Sequence, residues 1–80
     1  MGAGSIDEGS AVPKYQQLAA ILRARITSGE LAGRMPSQND LAADYRVAVL
    51  TVRRALALLQ QEGLVVTYPG SGSEAVPPPR

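Results

Sequence analysis

The side chains that could perform chemistry are few and of limited kinds. The 80-residue chain has no cysteine and no histidine, so a thiolate nucleophile, the usual general base and the commonest metal ligands are missing. The carboxylates are scattered along the chain, at Asp7, Glu8, Glu30, Asp40, Asp44, Glu62 and Glu74. We therefore predict a protein that is not an enzyme, with no catalytic residues, no metal site and no cofactor.

Three other groups have residue types suited to binding an anion. They are Thr51 with Arg53-Arg54, Ser37, and the turn Gly70-Ser71-Gly72. The turn lacks the Lys-Ser/Thr pair and the strand–loop–helix setting of a nucleotide-binding loop, which favours a hairpin tip. Ser37 is foremost an N-cap, although a helix N-terminus also binds phosphate. The arginine pair, taken alone, is also compatible with a solvated helix face.

The net charge of the chain is only +1, from eight basic and seven acidic residues. Residues 1–12 are acidic, and residues 13–76 are mildly basic, short of the bias that would by itself indicate nucleic-acid binding. No apolar run approaches the ~20 residues of a membrane span, and residues 1–10 lack the features of a signal peptide. We expect a soluble, cytoplasmic protein of one domain that does not associate with a membrane.

Helices must position these groups, and the apolar periodicity predicts three helices. The first helix covers Lys14–Ser28, with Pro13 in its first turn and Gly29 at its end. Its apolar stripe comprises Tyr15, Leu18, Ala19, Leu22 and Ile26. A short second helix begins at Pro36–Ser37, with Ser37 as N-cap, and its buried side comprises Leu41, Ala42 and Tyr45.

A turn at residues 46–48 separates the second helix from the third. The third helix covers Val49–Glu62 and ends at Gly63. Its core stripe comprises Val52, Ala55, Leu56 and Leu59. Two helices joined by such a short turn form a helix-turn-helix.

Two short strands are predicted after the helices. They are Leu64–Thr67 and Ser73–Val76, joined by a turn whose glycines can take positive φ. The connection before the second helix is expected to return Leu31 and Met35 to the core. The predicted fold class is mostly α with a small β-hairpin, a winged helix-turn-helix of three helices plus a wing. We expect a flexible leader at 1–12, this domain at 13–76 and a Pro-rich tail at 77–80.

The order and spacing of several fragments are similar to those of one family. They are Tyr15-x-Gln17-Leu18-Ala19, Leu22-Arg23-x-x-Ile26, Ser28-Gly29-Glu30-Leu31, Pro36-Ser37-x-x-x-Leu41-Ala42, Val47, Thr51-Val52-Arg53-x-Ala55-Leu56-x-x-Leu59, Glu62-Gly63-Leu64-Val65 and Gly70-x-Gly72. On these fragments, residues 13–76 resemble the N-terminal DNA-binding domain of the GntR family of bacterial transcriptional regulators.

The resemblance implies a sequence-specific regulator of transcription that binds double-stranded DNA, expected to be a repressor located at the bacterial nucleoid. The third helix would enter the major groove, and the wing would approach the minor groove. Thr51 and Arg53 match the family's contact positions, and Gly70 and Gly72 match its wing. The expected DNA-binding set is Ser37, Asn39, Val49, Leu50, Thr51, Arg53, Arg54, Gly70, Ser71 and Gly72.

The sequence departs from the family pattern where charge or a cap is usual. Asn39 and Val49 stand where the family usually has arginine, and Ala48 stands where it has a capping Ser or Thr. Each lost phosphate contact lowers the salt slope of binding by about one unit, and each lost bidentate base contact removes about 1–3 kcal/mol of discrimination. We therefore expect weak binding by a monomer, and a homodimer on a palindromic operator. No small-molecule effector site is expected, because the sequence lacks the family's C-terminal ligand-sensing domain.

The apolar run Val47–Leu50 leaves two functions open. If exposed, Val49 and Leu50 would either contact thymine methyl groups, which favours T-rich steps, or form an apolar patch for a protein partner. The alternative to a DNA-reading regulator is therefore a winged-helix interaction module that has lost DNA reading and binds protein through Val47–Leu50.

Overall fold

Three apolar helix faces meet in one core, and a small sheet packs beside them. The computed structural model describes residues 5–70 and 72–76. In chain order the elements are α1 (Lys14–Thr27), β1 (Gly33–Arg34), α2 (Gln38–Tyr45), α3 (Val49–Gln61), β2 (Val65–Tyr68) and β3 (Gly72–Ala75). The fold is the predicted winged helix-turn-helix, with β2 and β3 as the wing. Within the described ranges, none of the helices is long and apolar enough to span a membrane.

The core is built from the stripes that the helical periodicity predicts. Its buried members are Leu18, Ala19, Leu22, Ile26, Met35, Leu41, Ala42, Val52, Ala55, Leu56, Leu59, Val65 and Ala75. Tyr15 and Tyr45 are only partly buried at the edges of their stripes. Each fully buried leucine contributes roughly 1.5–3 kcal/mol, so the packing of α1 against α3 fixes the position of α3.

The helix ends follow the predicted caps to within one residue. Ser37 is the N-cap of α2, and its Oγ accepts a hydrogen bond from the Asp40 N–H at 3.0 Å. α3 ends in a Schellman motif, in which Gly63 (φ 79°) brings the Leu64 N–H to the Leu59 carbonyl at 3.0 Å. These two caps set the start of α2 and the end of α3.

The sheet has a third strand that the sequence did not predict. β1 runs antiparallel to β3, with Gly33 opposite Ala75 and Arg34 opposite Glu74, so the strand order is β1-β3-β2. Two residues are too few to produce an alternating apolar pattern. The next residue, Met35, is buried in the core and holds this segment in place. The sequence predicted that the Met35 side chain would return to the core.

The strands of the wing lie one residue closer to the turn than predicted. Tyr68 pairs directly with Gly72 at the base of the turn, so β2 extends to Tyr68 and β3 begins at Gly72. Val65 and Ala75 at the other end are buried, and they join the wing to the helical core.

The segment before α1 lies against the domain through one glutamine. The Gln17 side chain accepts a hydrogen bond from the Asp7 N–H at 2.7 Å and donates to the carbonyls of Asp7 and Val12 at 3.0 and 2.8 Å. Pro13 is then the N-cap of α1 rather than a residue of its first turn, because its ψ of 145° is extended. The flexibility expected for residues 1–12 stays a prediction. Residues 1–4 and 77–80 of the expected leader and tail lie outside the described residues.

Candidate nucleic-acid interface

The N-terminal end of α2 presents polar groups to solvent. Ser37 caps the helix, and Asn39 is exposed in its first turn. The N–H groups and the dipole of a helix N-terminus attract anions. Both predicted residues therefore lie where a phosphate can approach.

The turn between α2 and α3 holds Arg46 in the left-handed conformation, with φ 57° and ψ 49°. This conformation costs a residue other than glycine roughly 1–2 kcal/mol. The cost is offset locally, because the Val47 N–H donates to the Ala42 carbonyl at 3.0 Å and the Val47 side chain packs on the core. The turn sets the angle between the two helices and leaves Arg46 exposed.

The first turn of α3 lacks a side-chain cap. Ala48 is the N-cap in an extended conformation and makes no capping hydrogen bond through its side chain, as the sequence predicts. Val49 and Leu50 follow, with exposures of 37% and 59%, so neither is a core residue. Thr51 is partly buried. This end of α3 therefore presents mainly methyl groups to solvent.

A groove lies between the start of α2, the middle of α3 and the wing. Its volume is about 430 Å³, and it is lined by Ser37, Gln38, Asn39, Arg53, Thr67, Tyr68, Pro69, Gly70 and Gly72. Five predicted site residues thus come together. Gly70 (φ 75°) and Gly72 (φ 87°) adopt a left-handed conformation that side-chain-bearing residues rarely take, so the tight wing tip depends on glycine.

The other predicted site residues lie outside this groove. Val49, Leu50 and Thr51 occupy the first turn of α3. Arg54 lines a separate open depression of about 320 Å³ between α1 and α3, together with Tyr15, Ala57, Leu58 and Gln61. Ser71 lies outside the described residues. Arg53 and Arg54, although adjacent in sequence, therefore face different surroundings.

The arginines of α1 are held by acceptors within the molecule. Arg23 donates two hydrogen bonds to the Glu62 carboxylate, from Nε at 2.7 Å and from Nη2 at 2.6 Å. Arg25 donates to Glu30 at 3.0 Å and to the Tyr45 hydroxyl at 2.7 Å. The hydrogen bond between Arg23 and Glu62 raises the pKa of Arg23 and lowers the pKa of Glu62. Arg23 and Arg25 are therefore engaged within the molecule.

The arginines around α3 differ from those of α1. Within the described ranges, the side chains of Arg46, Arg53 and Arg54 form no hydrogen bond and no salt bridge, and all three are exposed. α3 itself carries no carboxylate. Their positive charge is therefore accessible to an external anion, most directly that of Arg53 in the groove.

The wing adds one negative charge close to this groove. The Tyr68 hydroxyl donates to the Glu74 carboxylate at 3.2 Å, and this hydrogen bond raises the pKa of Tyr68. A carboxylate at this position repels an anion. The described part of the wing therefore contributes shape to the groove rather than positive charge.

One family matches the domain over nearly its whole length. The model of the bacterial regulatory proteins of the gntR family matches residues 14–74. The chain belongs to the GntR family. Because this is a family of regulatory proteins, the prediction that the chain is not an enzyme is confirmed.

Relatives of this GntR domain are longer proteins. The HTH-type transcriptional regulator SmoD of Agrobacterium fabrum is 37% identical over 67 residues, which are 81% of this chain and 29% of SmoD. The HTH-type transcriptional repressor NagR of Bacillus subtilis is 35% identical over 71 residues, which are 86% of this chain and 29% of NagR. The chain thus spans about three-tenths of the length of these curated relatives.

Solved structures share the fold of this GntR domain. YtrA from Sulfolobus acidocaldarius, a GntR-family transcription factor, superposes with a TM-score of 0.82 at 31% identity, covering 99% of this chain and 84% of YtrA. The AraR(DBD) structure in complex with operator ORE1 has a TM-score of 0.78 at 25% identity, covering 91% of this chain and 92% of AraR(DBD). The predicted fold class is confirmed by these likenesses.

Four groove residues of this GntR domain were missed by sequence reasoning. They are Gln38, Thr67, Tyr68 and Pro69. Gln38 follows directly after the predicted N-cap, so its position was a usable signal. The three wing residues reach the groove only because the hairpin folds towards α2 and α3, and nothing in the local sequence specifies that direction.

Proposed function

We propose that this domain binds double-stranded DNA with sequence specificity and acts as the DNA-binding part of a transcriptional regulator. In this proposal α3 enters the major groove and the wing lies near the minor groove. The observation that carries it is the groove in which Arg53, which has no partner among the described residues, faces the start of α2 and the wing.

Each part of the groove has a proposed task on DNA. Ser37 and Asn39 at the start of α2 bind a backbone phosphate, for which the helix N-terminus is suited. Arg53 binds a phosphate or a base edge. Thr51, which lies outside the groove in the first turn of α3, is a second proposed contact of that helix. Gly70 and Gly72 let the hairpin tip approach the DNA backbone closely, because glycine has no side chain to intervene.

The remaining expected contacts are also proposals. Arg54, on the face of α3 towards α1, is assigned to a phosphate at the edge of the interface rather than to a base. Ser71 is assigned to the wing tip on the sequence alone. Val49 and Leu50 are assigned to the base edges that meet the first turn of α3.

We further propose a repressor that acts as a dimer on a palindromic operator. NagR is named a transcriptional repressor, and AraR(DBD) was solved with operator DNA, which supports an operator-binding role. One domain with a few phosphate contacts would bind weakly at physiological salt, since each contact contributes about 0.9 to the salt slope. Two copies on two half-sites would add their contacts and occlude a promoter.

A binding selection from random duplexes tests the proposal directly. The 80-residue protein should enrich a palindromic consensus whose half-sites are separated by about one helical turn, roughly 10–10.5 base pairs, or a multiple of it. Enrichment of no sequence would reject DNA reading and favour the protein-interaction module.

The variant Val49→Arg separates the same two functions. If α3 docks on DNA, the added cation strengthens duplex binding or changes the enriched consensus. If the Val47–Leu50 face binds protein, the variant breaks that complex and duplex binding stays absent in both forms.

A further inference from the structure

Two apolar side chains are exposed at the start of α3 without a role in the core. Leu50 is 59% exposed, the largest value for a large hydrophobic residue in the described part of the chain, and Val49 is 37% exposed. The core stripe of α3 begins only at Val52, and Val47 supplies the neighbouring core contact. Packing therefore does not explain an apolar residue at either position.

The surroundings of this pair are cationic. Arg53 lies one helical turn from Val49 and from Leu50, on the same side of α3. Arg54 is four residues from Leu50, and Arg46 lies in the preceding turn. None of these three arginines has a partner in the described ranges. The pair is thus an apolar spot surrounded by positive charge, which complements a surface that is anionic at its rim and apolar within.

The major groove of DNA at a thymine is such a surface. Phosphates line both rims, and thymine is the one base that presents a methyl group on the major-groove edge. Valine and leucine have no side-chain donor or acceptor, so they cannot select guanine or adenine by hydrogen bonding. We infer that Val49 and Leu50 read thymine through its 5-methyl group, so that each operator half-site has thymine opposite the first turn of α3. This inference rests on the proposed docking of α3 in the major groove.

The expected selectivity is modest. Burying one methyl group contributes about 0.8 kcal/mol, which corresponds to about a fourfold change in Kd. A bidentate arginine contact discriminates between bases more strongly, by about five- to 160-fold in Kd. The first turn of α3 should therefore tolerate other bases at this position, and the thymine preference should depend on burial of the methyl.

Replacing single thymines with deoxyuridine tests the inference. The replacement keeps base pairing and the O4 acceptor and removes only the methyl group. With an operator obtained by selection, one uracil at a time is placed at each thymine. The 80-residue chain should show a Kd about fourfold higher for a single uracil at one or two adjacent positions of a half-site. Other thymines should be neutral to the replacement.

Variants of the chain assign the effect to the apolar pair. Val49→Ala and Leu50→Ala should bind the thymine operator more weakly and lose their sensitivity to uracil at those positions. Val66→Ala is a matched control, because Val66 lies on the wing with a similar exposure of 39%. It should keep the full uracil effect, and thermal unfolding of each variant checks that the fold is intact.

The outcomes separate the inference from the proposed function. A bound operator whose affinity is unchanged by uracil at every position overturns the thymine reading and leaves DNA binding standing. Equal binding of the thymine operator by wild type, Val49→Ala and Leu50→Ala also overturns the thymine reading. It would favour a protein partner for Val49 and Leu50. Failure to bind any duplex overturns both.

Discussion

α1 and α3 are similar helices whose arginines have different environments. α1 has 14 residues and α3 has 13, each buries four residues, and each carries two arginines close together in sequence. The arginines of α1 are bonded to Glu62 and Glu30, whereas those of α3 have no partner in the described part of the chain. A net charge of +1 therefore conceals a cationic α3 whose two arginines are not paired within the described ranges.

The difference arises from tertiary packing rather than from local spacing. Neither Arg23 nor Arg53 has a carboxylate three or four residues away on its own helix. Arg23 acquires one because α1 packs against α3 and brings it to Glu62, just after the last turn of α3. Arg53 faces the groove and the wing instead, where the described lining residues include no carboxylate.

The largest expected effect is the loss of DNA affinity in Arg53→Ala. A hydrogen bond involving a charged group contributes about 1.5–3 kcal/mol, so the Kd for the selected operator should rise about ten- to a hundredfold. The salt slope should fall by about 0.9 for each bound copy. A titration at several salt concentrations measures both quantities.

Arg23→Ala is the matched control for this variant. It removes an arginine of the same charge whose side chain is already bonded to Glu62. Affinity and salt slope should stay close to those of wild type. A loss of affinity as large as that of Arg53→Ala would show that pairing within the molecule does not decide which arginine meets DNA.

The fold was largely predictable because its strongest signals are local. The four-residue stripe of α3, the cap at Ser37 and the glycine after α3 each encode one element through periodicity or backbone preference. β1 was missed because two residues carry no periodicity, and its pairing with β3 is made across forty residues of chain.

The site was predictable only in part, because some of its features depend on contacts between residues far apart in the sequence. Arg53 and the wing glycines could be found from sequence because they belong to a fragment pattern shared with a family. The separation of Arg53 from Arg54, and the capture of Arg23 by Glu62, depend on which helix faces meet. A single sequence contains no local signal for such contacts.

A smaller effect is expected when α3 is given the carboxylate that it lacks. Ala57 is exposed and lies four residues after Arg53 and three after Arg54, so a glutamate in Ala57→Glu can reach either arginine and also repels phosphate. One such contact near water corresponds to about 1 kcal/mol, or roughly a fivefold rise in Kd. Ala57→Gln is the control of equal size without charge and should leave Kd unchanged. If both variants bind alike, the availability of the two α3 arginines does not limit DNA binding.

The smallest effect concerns stability and the paired arginine of α1. Arg23 lowers the pKa of Glu62 through their hydrogen bond, so the Glu62 carboxylate takes up a proton less readily in the folded state than in the unfolded chain. The pair therefore stabilises the fold above the ordinary carboxyl pKa of 4.5, and this contribution is lost as the pH falls through the lower folded-state value.

Urea unfolding of wild type and Arg23→Ala between pH about 6 and about 3 measures this contribution. The midpoint difference between the two proteins should be largest at the upper end and should shrink towards the lower end. Since exposed ion pairs contribute little, the informative quantity is the pH dependence of the difference and not its size. In a Glu62→Gln background, the same arginine substitution should give a difference that does not vary with pH. A difference that is constant in both backgrounds would mean that Arg23 does not hold Glu62 in solution, and α1 and α3 would then differ less than their contacts indicate.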